Sequence, residues 1–242
     1  MDLSAFLTGG ELSPAGARVP RWRPGLPCAL HSEVFCRGNE AGGAALAFAL
    51  ALDGLDAAEE RSLLWVQDEA SMRLNGRPYR TGLPASLRGR MIHVAAKRPE
   101  DALFALEEGL RCRDLACVIG EIAGNPKALD FTASRRLTLA AERHGVPLFL
   151  VRHDAQADLS SARMRWRASA APSLPPRWNP EAPGRPAWHA ELFRARGHAP
   201  GDGILRDDGD VLAADRSASS EAGAPDHGDL AAAAGDRPLA TR

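Results

Sequence analysis

Five short runs dominated by apolar residues, separated by segments of helical periodicity, constrain this chain more than any other feature. The runs are Ser32–Cys36, Ser62–Val66, Met91–Ala95, Leu115–Ile119 and Val146–Val151. A strand that is apolar on both faces needs cover on both faces, and a helix between each strand and the next supplies it. The intervening segments meet that need. An apolar helix is predicted from Ala44 to about Leu55 and a short one over Ala70–Asn75. Pro99 suits a first helical position, and Glu100 and Asp101 suit the positive end of the helix dipole. Leu103, Leu106 and Leu110 then recur at helical spacing. Asp130 opens a helix running to His144, with Gly145 where a glycine cap belongs. The expected fold class is α/β, a doubly wound and mostly parallel sheet. Only 5% of residues are aromatic, so its core must come from Leu, Ala and Val.

The flanks are less regular and set the expected domain limits. Residues 1–28 read as an irregular arm anchored by Trp22, and residues 29–171 as the α/β domain. Ala162–Ala170 reads as an antiparallel edge strand, because Met164 and Trp166 alternate with arginines. Residues 172–206 read as a Pro-rich connection over Pro172–Pro186, followed by a short helix, Trp188–Arg196, carrying Leu192 and Phe193. Residues 207–242 are rich in Ala, Gly, Asp and Ser and have too few large apolar side chains to fold, so a disordered tail is expected.

The formal net charge of −1 gives no global attraction to nucleic acid or membrane. The charge is unevenly placed, with +4 over residues 1–200 and −5 over residues 201–242. The four cysteines form no CxxC pair and no metal-ligand spacing, so neither a disulfide framework nor a metal site is expected. The first 30 residues lack a signal-peptide pattern, and the longest apolar stretch, Ala44–Leu52, is about half of what spans a bilayer. A soluble, cytoplasmic protein is the expectation.

The first strand–loop–helix junction is where phosphate chemistry would be found. A working Walker A loop needs glycines for the turn, a Lys for the β- and γ-phosphates, and a Ser or Thr for Mg²⁺. Here the loop reads Cys36-Arg37-Gly38-Asn39-Glu40-Ala41-Gly42-Gly43-Ala44-Ala45. The glycines Gly38, Gly42 and Gly43 are present. The Lys and the hydroxyl are not, and Gly43 and Ala44 occupy the nearest equivalent places. Losing the lysine removes a charge-assisted contact of about 1.5–3 kcal/mol, and Glu40 puts negative charge where phosphate oxygens would lie. The loop is therefore read as degenerate, with no cofactor. Glu121, after the fourth strand, stands where a Walker B strand would place an acid. It is read either as a retained catalytic carboxylate or as a strand-end acid bonded within a vestigial site.

Arginines supply the remaining candidates. Arg135 and Arg136 point to different faces of their helix, so at most one faces inward. Arg163, Arg165 and Arg167, interleaved with Trp166, form a basic strip able to meet nucleic acid or an acidic protein surface. Charge on an edge strand also blocks aggregation. Trp188, Leu192, Phe193 and Arg194 form a second candidate contact surface. The histidines are scattered, and no nucleophile elbow, HExxH or paired His/Asp signature supports hydrolase chemistry.

Several of these segments together resemble the ImuA family. They are His31–Phe35, Glu107–Cys112, Ala116–Glu121, Ala128–Leu137, Ala140–Pro147, Arg163–Arg167 and Ala170–Ser173. The likeness runs in order over about residues 29–197. It implies a RecA-like domain and a place in a damage-inducible mutagenesis cassette alongside ImuB, a Y-family polymerase homologue without activity of its own, and an error-prone replicative-type polymerase. The implied role is accessory to translesion synthesis, through ImuB or through RecA, with any DNA contact indirect. Two other readings stay open: a RecA-like ATPase that binds single-stranded DNA using Glu121 and a non-standard loop, and a cell-division inhibitor resembling SulA.

Overall fold

The structure, a computed structural model, describes residues 19–208 and 212–214. Strands β1 (His31–Cys36), β2 (Ser62–Asp68), β3 (Met91–Ala96), β4 (Leu115–Ala123) and β5 (Leu148–His153) are each longer than the apolar run that predicted them, or shifted from it by up to two residues. Helices α1 (Gly42–Asp53), α2 (Glu69–Asn75), α3 (Pro99–Arg111) and α4 (Phe131–His144) lie between them. Further along come β6 (Met164–Ala170), β7 (Ala187–Ala195), β8 (Gly201–Asp207) and β9 (Leu212–Ala214). All nine strands join one sheet in the order β3-β2-β4-β5-β1-β6-β7-β8-β9. Every ladder from β3 to β6 is parallel and every ladder from β6 to β9 is antiparallel. The α/β, doubly wound, mostly parallel expectation is met.

Each face carries its own core. Helix α1 packs Leu46, Ala47 and Leu50 against Val34, Ile119 and Val151, and this core continues through Trp166, Trp188, Leu192 and Leu205 onto the antiparallel strands. Helices α3 and α4 cover the other face, with Leu103, Leu106, Leu110 and Leu137 against Val66, Val118, Ile122 and Leu150. Helix α4 is bounded as its sequence requires: the Asp130 carboxylate accepts from Ala133 N at 2.7 Å, and Gly145 takes the left-handed conformation (φ 71°).

Three expectations are corrected. Strand β6 is not at an edge: it pairs parallel with β1 and antiparallel with β7. After β5 the chain crosses β1 and lays β6 on the far side of it. The segment Trp188–Arg196 is not helical but is mostly strand β7, in which Trp188, Ala190 and Leu192 are buried while His189 is exposed. That alternation has period two, and pairing with β6 and β8 decides it. Residues 207 and 212–214, assigned to the tail, close the sheet as the end of β8 and as β9, with Leu212 in the core. Apart from these and Asp208, the proposed tail lies outside the described residues, as does the arm before Val19. Trp22 does anchor the arm, meeting Trp166 edge-on with ring centroids 4.9 Å apart.

His31, the first residue of β1, is wholly buried, with Nδ1 2.7 Å from Thr138 Oγ1 and Nε2 without a partner. Burial pushes its pKa from 6.5 down to about 4. The folded state therefore resists a proton that the unfolded chain accepts, so the stability His31 permits is complete above pH 6.5 and lost as pH falls toward 4. We expect urea melts to lose about 3 kcal/mol from this group over that interval. His31→Gln should flatten the dependence by that amount, and an unchanged slope would contradict the assignment.

Candidate functional site

Open α/β sheets bind ligands at the carboxyl ends of their parallel strands. In β1 and β5 those ends are Cys36 and His153, which are register partners. Alternation along the strands turns Cys36, Gln67, Glu121 and His153 toward the α1 face, and there they form a continuous hydrogen-bonded chain. Glu121 is 2% exposed. Its Oε1 accepts from Trp65 Nε1 at 2.6 Å and from Gln67 Nε2 at 3.0 Å. Its Oε2 lies 2.8 Å from His153 Nε2. With Nε2 donating to the carboxylate, Nδ1 is the acceptor in the neutral ring, and Cys36 Sγ and Asn75 Nδ2 both stand 3.2 Å from it. On the other side, Gln67 Oε1 meets His93 Nε2 at 2.9 Å.

The order Cys–His–Glu is that of a nucleophile, base and orienting acid, but the electrostatics are wrong for a nucleophile. Burial, and then the charges of Glu121, Asp154 and Glu40, push the Cys36 thiol up to about 12. A thiolate is the reactive form, and this sulfur keeps its proton as a donor to His153.

The loop Arg37–Ala41 closes over this chain. Gly38 N–H donates to Asp154 Oδ1 at 2.8 Å, and Asp154, at a positive φ of 49°, is itself held by its N–H to Cys36 O at 3.0 Å. Gly43 packs directly against the Cys36 sulfur. The sulfur lies so close to Gly43 that a side chain there would collide with it. Glu40 Oε2 accepts from Ala170 N at 3.3 Å, tying the loop to β6.

On the opposite face a second buried acid, Glu33, accepts from Arg165 Nε and from Ser160 Oγ, each at 2.7 Å, with Arg152 Nη1 at 4.0 Å. The supposed basic strip is thereby split. Arg165 and Trp166 are buried, Trp166 in the core. Arg163 pairs with Glu142, and Arg167 pairs with Glu191 while lying over the ring of Phe193 at 4.2 Å. In the second candidate surface Trp188 and Leu192 are core residues. Arg135, Arg163 and Arg194 do come together, with Arg196, around a groove of about 490 Å³ beside α4. Arg136 instead reaches Glu107 of α3 at 2.7 Å.

No family model matches the chain. Protein ImuA of Caulobacter vibrioides strain NA1000 / CB15N is 34% identical to it over 197 residues, 75% of this chain and 76% of that protein. Protein ImuA of strain ATCC 19089 / CIP 103742 / CB 15 matches to the same extent. The chain belongs to the ImuA family.

Sequence reasoning found Glu121 and the loop glycines of this ImuA-family chain but missed the side chains that bind them together. The histidines are not all scattered: His153 joins Cys36 to Glu121. Both Cys36 and His153 close a strand, a signal visible in the sequence, but their contact depends on the β1–β5 register, which no local pattern specifies. Among the described residues no cluster of His, Cys, Asp and Glu is arranged to hold a metal ion, and no helix is long and apolar enough to cross a membrane.

The thiols give a direct check on this geometry. Burial raises Cys28, Cys36 and Cys117 to about 12, whereas Cys112 is exposed. The native protein at pH 8 should release about one equivalent of thionitrobenzoate quickly from Ellman's reagent, and Cys112→Ser should remove it. Rapid labelling of Cys36 would show the chain of hydrogen bonds to be open.

Proposed function

We propose that this protein works by contact rather than catalysis, as a RecA-like accessory to an ImuB-like Y-family polymerase homologue in damage-induced translesion synthesis. The mutagenesis pathway follows from membership of the ImuA family. The non-catalytic reading rests on the loop. In a phosphate-binding loop the backbone N–H groups and the first turn of the helix must be free to point at the anion. Here Gly38 N–H is used by Asp154, and Gly43 packs against the Cys36 sulfur. A phosphate would have to displace the Asp154 carboxylate from Gly38 N–H, without a lysine to offset its charge, and with Glu40 beside it. Glu121, the remaining acid of the pattern, already serves three donors.

Calorimetric titration with ATP and Mg²⁺ should give no saturable heat up to about 1 mM, roughly the Kd at which binding falls to 4 kcal/mol. Saturable micromolar binding that Glu121→Gln abolishes would favour the ATPase reading instead. Association is the positive half of the proposal: the purified chain should bind the ImuB-like homologue from its own organism, and failure to bind would remove the accessory role.

A further inference from the structure

The groove beside α4 lies on the opposite face of the sheet from the closed loop, and nothing described above uses it. One wall is helix α4, where Phe131, Arg135 and Leu139 follow each other at four-residue spacing and so share a face. Phe131 is 40% and Leu139 50% exposed, so this wall offers apolar surface. The other wall is the start of β6 and the end of β7, with Arg163, Arg194 and Arg196. The floor is the crossing segment at Ser160–Ala162. It is held rigid by hydroxyl bonds, Ser160 to Ser134 at 2.8 Å and Ser161 to Thr138 at 2.5 Å.

Among the described residues, only one of these arginines has a paired carboxylate. Glu142 holds Arg163 in a two-pronged pair, with Nε–Oε1 at 2.7 Å and Nη2–Oε2 at 3.1 Å. Among the described residues no carboxylate lies within ion-pair distance of Arg135, Arg194 or Arg196. Arginines gathered around one groove favour an anionic occupant, and a carboxylate can be gripped by two N–H groups of one arginine.

We propose that this groove docks an acidic peptide segment of the partner protein, with apolar side chains on either side of the carboxylates. The inference rests on the accessory reading above and names the surface that serves it. Its spacing follows from helix geometry. Phe131 and Leu139 are eight residues apart, about 12 Å along the axis at about 1.5 Å per residue. An extended segment covers that distance in about four residues. The occupant therefore carries two apolar side chains four positions apart, with acidic residues between them opposite Arg135, Arg194 and Arg196. A peptide fits better than single-stranded nucleic acid, which needs a run of aromatic stacking faces. Leu139 offers none, and Phe131 is the only aromatic side chain among the described residues that line the groove.

The test uses the full chain and the purified ImuB-like homologue of the same organism, measured by biolayer interferometry. Arg135→Glu with Arg194→Glu should weaken binding at least tenfold, and Leu139→Ser severalfold, while Arg113→Glu, exposed and outside the groove, should leave it unchanged. All are surface changes, and matching thermal melts would show that the variants fold. An array of overlapping partner peptides should light up at an acidic segment with the stated spacing. If the wild-type chain binds the partner and the reversed variants bind equally well, the groove assignment is wrong and the accessory reading survives. If the wild-type chain does not bind, both fall. Tight binding of oligothymidylate lost on the same reversal would make the groove a nucleic-acid site and overturn the proposal. So would a chain ending at Ala214 that gains partner affinity tenfold, since the acidic tail would then be the occupant.

Discussion

The carboxylate of Glu121 is the constraint around which the carboxyl end of the sheet is organised. An ionised acid at 2% exposure costs several kcal/mol unless donors replace its water. Trp65, Gln67 and His153 supply them, from β2 on one side of β4 and β5 on the other. Those bonds exist only in the observed registers, with Gln67 opposite Glu121 and Cys36 opposite His153. Once His153 donates Nε2–H to Glu121, its Nδ1 requires a donor, and the Cys36 thiol meets that need. The sulfur in turn stands against Gly43. The buried Glu121 carboxylate thus orients the histidine that the Cys36 thiol meets at the base of the loop.

Glu33 has the corresponding part on the other face. It is fully buried in β1, and Arg165 of β6 and Ser160 of the crossing segment satisfy it. This explains why β6 settles beside β1 and why an arginine in a strand is not a surface feature. Beyond β6 the sheet turns antiparallel and shares the α1-side core through Trp166, Trp188 and Leu192. The groove beside α4 exists because the chain crosses β1 there without a helix, leaving Phe131, Arg135 and Leu139 uncovered.

What was legible in the sequence follows from the range of each interaction. The five parallel strands and the caps of α4 are local patterns, and they were readable. Strand β4 runs past the expected Ile119 because Glu121 is satisfied inside the sheet, and β5 reaches His153 for the same reason. Polar residues look like strand ends unless their partners are known. The arginines at 163, 165 and 167 look alike in sequence but have three fates, decided by Glu142, Glu33 and Glu191, which lie 21, 132 and 24 residues away. Trp188–Arg196 carries both helical and alternating signals, and only its neighbours in the sheet choose between them. The loop lacks Lys and a hydroxyl by inspection, but that Asp154 takes the Gly38 N–H required the fold.

Amide hydrogen exchange at Gly38, with and without ATP and Mg²⁺, tests that central point most directly. The account predicts that this amide is protected in the free protein and that nucleotide leaves its rate unchanged. Fast exchange in the free protein, slowed by nucleotide, would contradict it: the donor would then be open and the loop a working phosphate site.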